Sequence, residues 1–189
     1  MAGQSPRTVV RPCRAEDLDA LERGLPTGLN RYHEARFRRQ GEGLSTFLVA
    51  YDGDGPVGSG EILWSGAKEP EVRERFPACP EINGLGVVAA RQGRGVGTAI
   101  IRAAEELAAS RGMRWIGMGV ADDNGRAAAL YLRLGYVDPD CRYLDRYQWV
   151  DEHGARHDIA DPCRFLVKEP PTRAIRDRRG RSADRSGSP

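Results

Sequence analysis

Three glycines at alternate positions, Gly93, Gly95 and Gly97, stand where an apolar run ends and a long amphipathic stretch begins. Glycine lets a backbone take up torsions closed to other residues and pass close to a ligand. From Gly97 onward Ile100, Ile101, Ala104, Leu107 and Ala108 recur near a period of 3.6, the stripe of a helix lying on a sheet. A strand, a glycine turn and a helix N-terminus in that order gather free N–H groups and the positive end of the helix dipole at one point. That is chemistry for holding an anion such as a phosphate. The loop lacks the G-x-G-x-x-G spacing of dinucleotide folds, and it lacks the Gly-Lys-Ser/Thr ending of a P-loop. Taken alone, the three glycines are equally compatible with an ordinary surface loop. No His lies at metal-ligand spacing from a Cys or a carboxylate, so no metal site is expected. No Ser-His-Asp or Cys-His arrangement stands out.

Around the glycines the chain reads Gln92-Gly93-Arg94-Gly95-Val96-Gly97-Thr98, which resembles the pyrophosphate loop Q/R-x-x-G-x-G/A of the GCN5-related N-acetyltransferases (GNAT). A second stretch, residues 120–136, resembles that family's N-x-x-A-x-x-x-Y-x-x-x-G-F/Y, with Asn124, Ala127, Tyr131, Gly135 and Tyr136 in the marked places. The resemblance is close over residues 81–136, general over 8–64 and topological beyond. It implies an α/β fold with a mixed, mostly antiparallel central sheet of about seven strands and helices on both faces. It also implies acetyl-CoA as cosubstrate, lying where the strands near 81–90 and 115–120 splay apart. Pantetheine would then meet backbone near Val87 and Val88, and pyrophosphate the N–H groups of Gly93 to Thr98, assisted by Arg91 or Arg94. Asn124, with Ala127 beside it, would bind pantetheine, cap the following helix, or do both.

Acyl transfer from a thioester to an amine needs a neutral nucleophile, a polarised carbonyl and a proton for the departing thiolate. A thiol leaves with a pKa near 8.5, which a Tyr hydroxyl held beside the sulfur can serve as acid. The resemblance puts Tyr131 there; by helical spacing alone it reads as a packing residue. It puts Glu81 where some relatives carry a base, others relying on water chains. Asn83 shares a strand face with Glu81 by the two-residue period and is a candidate to orient water or the acceptor. Tyr32 and His33, on a helix that walls the acceptor pocket in the resembled family, are candidate acceptor contacts. The expected activity is acetyl transfer to a primary amine, on a small molecule first, with a protein N-terminus or lysine as alternative. A CoA-binding interaction module with little catalysis is the alternative from another class.

The chain has 189 residues, enough to bury a substantial core. Its formal charge of +2, from 29 basic and 27 acidic residues, gives no argument for nucleic acid or a membrane surface as partner. No run of about 18 apolar residues is present, and the first residues hold no apolar signal core. Cys13, Cys79, Cys141 and Cys163 show no paired spacing. Reduced thiols and a cytoplasmic location are the expectation. A homodimer is left open.

Read in order, residues 1–7 are expected to be a flexible tail, 8–171 one domain, and 172–189 a disordered Arg- and Ser-rich tail. Residues 8–13 predict a strand that Pro12 confines to an edge. Helices are expected over 16–24 and 29–40, and strands over 44–51 and 56–64 joined by an Asp-Gly turn. Gly58 and Gly60 mark a bulge or a close backbone approach. The stretch 65–80, with a short helix over 71–76, is long for a connection and is expected to cover the acceptor site or to run over the surface. Strands over 81–90 and 114–120 flank the glycine loop and its helix, and a further helix ends at Gly135. Two late strands, 141–150 and 163–168, are expected on either side of a polar excursion.

Overall fold

The computed structural model describes residues 8–53 and 55–171, so both tail expectations lie outside the described residues. Seven strands form one sheet: β1 (Val9–Pro12), β2 (Ser45–Tyr51), β3 (Pro56–Leu63), β4 (Glu81–Val87), β5 (Ile116–Ala121), β6 (Val137–Val150) and β7 (Arg156–Lys168). Their order across the sheet is β1-β2-β3-β4-β5-β7-β6. Every neighbouring pair is antiparallel except β4 and β5. The helices are α1 (Leu18–Gly24), α2 (Tyr32–Gly41), α3 (Pro70–Arg75), α4 (Val96–Ser110) and α5 (Gly125–Arg133). This is the expected mixed, mostly antiparallel α/β sheet.

Alternation along β2 separates the two faces. Leu48 and Ala50 join Ile100, Ile101, Ala104 and Ala108 of α4, and Ala128 and Tyr131 of α5, in the main core. Phe47 and Val49 point the other way and pack against Leu21 of α1 and Phe37 of α2. β7 divides likewise, with Leu166 in the main core and Phe165 and Val167 in a third cluster under Val72 of α3. Helices therefore cover both faces, each buried against a period-two row of apolar side chains.

Several boundaries differ from expectation. β4 stops at Val87, and residues 88–90 leave the sheet in a tight 3-10 turn over Ala89–Arg91. The helix expected over 29–40 opens with a separate 3-10 turn at Gly28–Asn30, because Arg31 adopts a left-handed φ of 48° that breaks the helix before Tyr32. The expected late polar excursion is itself strand. β6 and β7 run as one long hairpin from Tyr143↔Cys163 out to Val150↔Arg156, with a turn at residues 151–155. The part missed, residues 156–162 of β7, is mostly exposed and polar, so it carries no apolar row to read as strand.

The middle of the sheet carries two irregularities. Between the pairs Ser59↔Gly86 and Glu61↔Asn83, Gly60 alone faces both Gly84 and Leu85, so β4 carries the extra residue of a bulge. Gly84 has the positive φ, 59°, that this geometry requires. The anticipated close approach is present too: a Cβ on Gly58 would stand 2.9 Å from the Gly86 carbonyl oxygen and 3.0 Å from Val96 Cγ1. α4 thus packs directly onto the β3 backbone. The second irregularity is that β4 and β5 register at a single pair, Glu81↔Gly117, after which they part.

Candidate active site

Beyond that single pair the parting strands open a gap across the sheet. β4 turns free backbone toward it. Val88 donates its N–H to Val57 and accepts at its carbonyl from Arg91. Because antiparallel neighbours alternate in direction, Val87, paired with Gly58, directs its own N–H and C=O away from β3 and into the gap. The carbonyl takes a bond from Gln92 Nε2 at 3.2 Å. Of the two valines expected to meet pantetheine, the structure leaves Val87 facing the gap and ties both backbone groups of Val88 into the protein.

At the mouth of the gap the glycine loop enters α4. Gly93 and Gly95 adopt φ of 74° and 85°, and a Cβ on either would meet nothing within 4 Å. Conformation, not crowding, demands glycine there. No side chain caps the N-terminus of α4, and no acidic residue lies in its first turn. The N–H groups of Val96, Gly97 and Thr98 come before the first i to i−4 acceptor and are available to an anion. Val96 itself is a core residue by its side chain and would contribute only its N–H. Arg91 is engaged by Asp52 at 2.9 Å, whereas Arg94 is exposed. This donor set fits the pyrophosphate of an acyl-CoA. Asn124 is the N-cap of α5, its Oδ1 accepting from Ala127 N–H at 3.1 Å, so of the two expected roles the capping one is directly visible.

On the other side of the sheet the gap widens into a cavity of about 820 Å³ between α2, the segment 65–69, β4, β5 and the β6–β7 hairpin. Glu81, Asn83, Tyr131 and Tyr32 all line it. Glu81 is 5 % exposed, not the surface strand end that is the common fate of such a residue. Burial, and then the nearby charges of Glu69 and Asp145, push its carboxyl up to about 7, with the Asn83 amide and Lys68 pulling the other way. Tyr131 is buried against Tyr136, ring centroids 6.4 Å apart, and burial raises its pKa. Packing and access to the cavity therefore coexist in Tyr131.

His33 does not reach this cavity. It is buried, stacked on Phe47 with centroids 5.9 Å apart, and its Nε2–H donates to the Leu25 carbonyl at 2.8 Å. Desolvation lowers its pKa, so it stands as a neutral ring bracing α2 against α1. On α2 the cavity-facing positions are Tyr32, Arg36 and Arg39. That is a helical i, i+4, i+7 set, which excludes position 33.

Several other residues that line the cavity escaped sequence reasoning. Tyr143 Oη lies 2.0 Å from where a Cβ on Gly119 would be, and Glu81 Oε1 lies 3.7 Å from the same point. Gly119 thus creates the hollow in which the carboxylate and the phenol meet. Glu69, buried at the start of α3, and Asp145 share Lys68, whose Nζ is 3.5 Å from one and 3.0 Å from the other. The signal for β6 was present in Cys141-x-Tyr143-x-Asp145-x-Tyr147, a period-two row facing one side. The signal for Glu69 was absent. Among the described residues no group of three or more His, Cys, Asp or Glu is arranged to hold a metal ion.

The acetyltransferase (GNAT) family model matches residues 13–136, a span that includes the glycine loop, Glu81 and Tyr131. The chain belongs to the GNAT family of acetyltransferases. Solved structures show the same fold at low identity. The ribosomal-protein-S18-alanine N-acetyltransferase of Escherichia coli superposes with a TM-score of 0.60 at 14 % identity, over 90 % of this chain and 98 % of that one. Spermidine N-acetyltransferase from Vibrio cholerae, solved with CoA and spermine, gives 0.60 at 14 %, over 86 % and 95 %. Arabidopsis thaliana NAA60, solved with a bisubstrate analogue, gives 0.61 at 19 %, over 86 % and 98 %. No curated protein matches the sequence. Acetyl transfer is thus the general activity of the family to which this chain belongs.

Proposed function

We propose that this GNAT protein transfers the acetyl group of acetyl-CoA to a primary amine on a small molecule, directly, within a ternary complex. The observation that carries this reading is that Glu81 and Tyr131 line one cavity at the gap between β4 and β5, with the Glu81 carboxyl held near neutrality by burial. A base with a pKa near the working pH is half available and still strong enough to accept a proton. The cavity volume is in the range of small-molecule sites.

Glu81, directly or through water, takes a proton from the acceptor ammonium. The neutral nitrogen then attacks the thioester carbonyl, forming the C–N bond. As the C–S bond breaks, its electron pair goes to sulfur, and the Tyr131 hydroxyl supplies the proton that makes the free thiol. The amide nitrogen sheds its extra proton, which restores Tyr131 through solvent. Overall an ammonium and a thioester become an amide, a thiol and one released proton. The Val87 backbone and the donors of Val96 to Thr98 serve by fixing the thioester against the amine, which makes the reaction effectively unimolecular.

Thiol release measured with acetyl-CoA against a panel of amines tests the proposal. Turnover with small amines is expected. CoA binding with no transfer to any amine would leave a binding module instead, and transfer confined to peptides would move the acceptor to protein N-termini or lysines.

A further inference from the structure

The acceptor cavity is charged unequally along its length. At one end stand Glu81 of β4, Glu69 before α3 and Asp145 of β6, the last two paired with the ammonium of Lys68. At the α2 end stand Arg36 and Arg39 around one carboxylate, Glu61. Glu61 is 1 % exposed and both its oxygens are taken by Arg39, at 2.9 and 2.6 Å. Arg36 approaches it only at 3.7 Å, and among the described residues Arg36 makes no hydrogen bond. Its guanidinium instead lies across Gly84, one nitrogen 2.0 Å from where a Cβ would stand, so the bulged glycine of β4 is what lets it into the cavity. The Tyr32 and Phe47 rings flank it at 6.0 and 5.9 Å. A guanidinium with five donors, mostly removed from water and paired only at 3.7 Å with a carboxylate that Arg39 already occupies, has donors left for an acceptor on a ligand.

We propose that the acceptor is an aminocarboxylate, its amine presented to Glu81 and its carboxylate bound by Arg36. This rests on the acetyl-transfer reading for the fate of the amine, but the carboxylate site stands on its own geometry. Gly84 is three residues from Glu81 along β4, roughly 10 Å of strand, so the two acceptor groups are separated by several bonds. An ω-amino acid or a short peptide with a free amine has that form. The planar fork of Arg36 suits a carboxylate held bidentately. Desolvation by burial lowers the Arg36 pKa, the Glu61 charge opposing and the Arg39 charge adding to it, and a ligand carboxylate would counter both. A diamine of the same length would set a second ammonium against Arg36 and be disfavoured.

Aminohexanoate, aminohexanol and diaminohexane, each with its amine at the chain end, separate these cases by kcat/KM in the thiol-release assay. Aminohexanoate is expected to exceed both others by about tenfold or more. Arg36→Met keeps an unbranched side chain without charge. It should raise KM for aminohexanoate roughly 10- to 100-fold while leaving that for aminohexanol within about twofold. Arg36→Lys, which keeps the charge and loses the fork, should fall between. Equal or better use of the alcohol or the diamine by the parent protein overturns the proposal and leaves acetyl transfer standing. Titration of aminohexanoate into CoA-saturated protein, followed by calorimetry, reads the carboxylate site without turnover. Binding lost in Arg36→Met supports the site even if no amine is acetylated, and no binding to the parent overturns it.

Discussion

Glu81 carries a pH dependence whose sign can be worked out from its surroundings. Its carboxyl titrates near 7 in the folded chain against an ordinary 4.5. As a base it works only when ionised, so kcat/KM should fall as pH drops through about 7, and Glu81→Gln should abolish that limb, with the largest loss of rate above pH 7. Stability runs in the opposite sense. Between pH 4.5 and 7 the folded chain keeps a proton that the unfolded chain has lost, so the contribution of Glu81 is most favourable below 4.5 and is lost as pH rises through 7. Above that pH, Glu81→Gln should be the more stable protein, by on the order of 1–3 kcal/mol in denaturant unfolding. A variant both slower and less stable at pH 8 would make Glu81 a packing residue. Tyr131→Phe keeps the ring against Tyr136 and deletes the hydroxyl. CoA affinity should survive while kcat falls roughly 10- to 1000-fold. If single-turnover rates are unchanged in that variant, water or the acceptor supplies the proton.

At the scale of elements, the site depends on glycines that admit side chains from neighbouring strands. Gly119 has ordinary backbone torsions, so its requirement is spatial: an added methyl would meet the Tyr143 hydroxyl at 2.0 Å and the ring carbon behind it only at 3.4 Å. Gly119→Ala should therefore cost about 1–3 kcal/mol and lower the rate by displacing the phenol beside Glu81. Most of the stability cost should disappear in the double variant with Tyr143→Phe, which lacks the clashing oxygen. Additive losses in thermal melts of the three variants would contradict this contact. The same elements show what a sequence reveals and what it hides. β4, the glycine loop and α4 were legible because turn chemistry and apolar period are local, and α5 because Asn124 and Gly135 bound it. The Glu81–Tyr143–Gly119 hollow was not, because it joins three strands whose register no local pattern states. His33 lies apart from that cavity for a related reason: neighbours on a helix face different sides, and Tyr32 took the cavity while His33 took the core. Arg36 was one of several polar residues until the bulge at Gly84 gave it a place.

Across the whole molecule the sheet is two antiparallel halves, β1 to β4 and β5-β7-β6, joined by one registered parallel pair. Elsewhere along that seam the strands satisfy little of each other's backbone, and α4 and α5 hold the halves from one face through the shared core. Such a seam is the part of the fold a ligand can most easily stabilise. An acyl-CoA lying in it adds partners for Val87 and for the first turn of α4, which have none within the secondary structure. A ligand that binds only the folded chain stabilises by about 2.7 kcal/mol at a concentration 100 times its Kd. For a domain of this size that corresponds to a melting rise of about 5–10 °C. The rise should be seen with acetyl-CoA and CoA alike and be much smaller with dephosphorylated pantetheine, which cannot engage the loop. Gly95→Val puts a β-branched residue at φ 85° in open space, so it should strain the loop without a clash, lower the baseline melting temperature modestly and remove most of the rise. Hydrogen exchange locates the effect: protection should increase at residues 85–87 and 96–98 and stay unchanged at β1 and in the outer β6–β7 arm. A melting rise with protection confined to the outer arm would place the nucleotide elsewhere on the protein and withdraw the gap between β4 and β5 as its site.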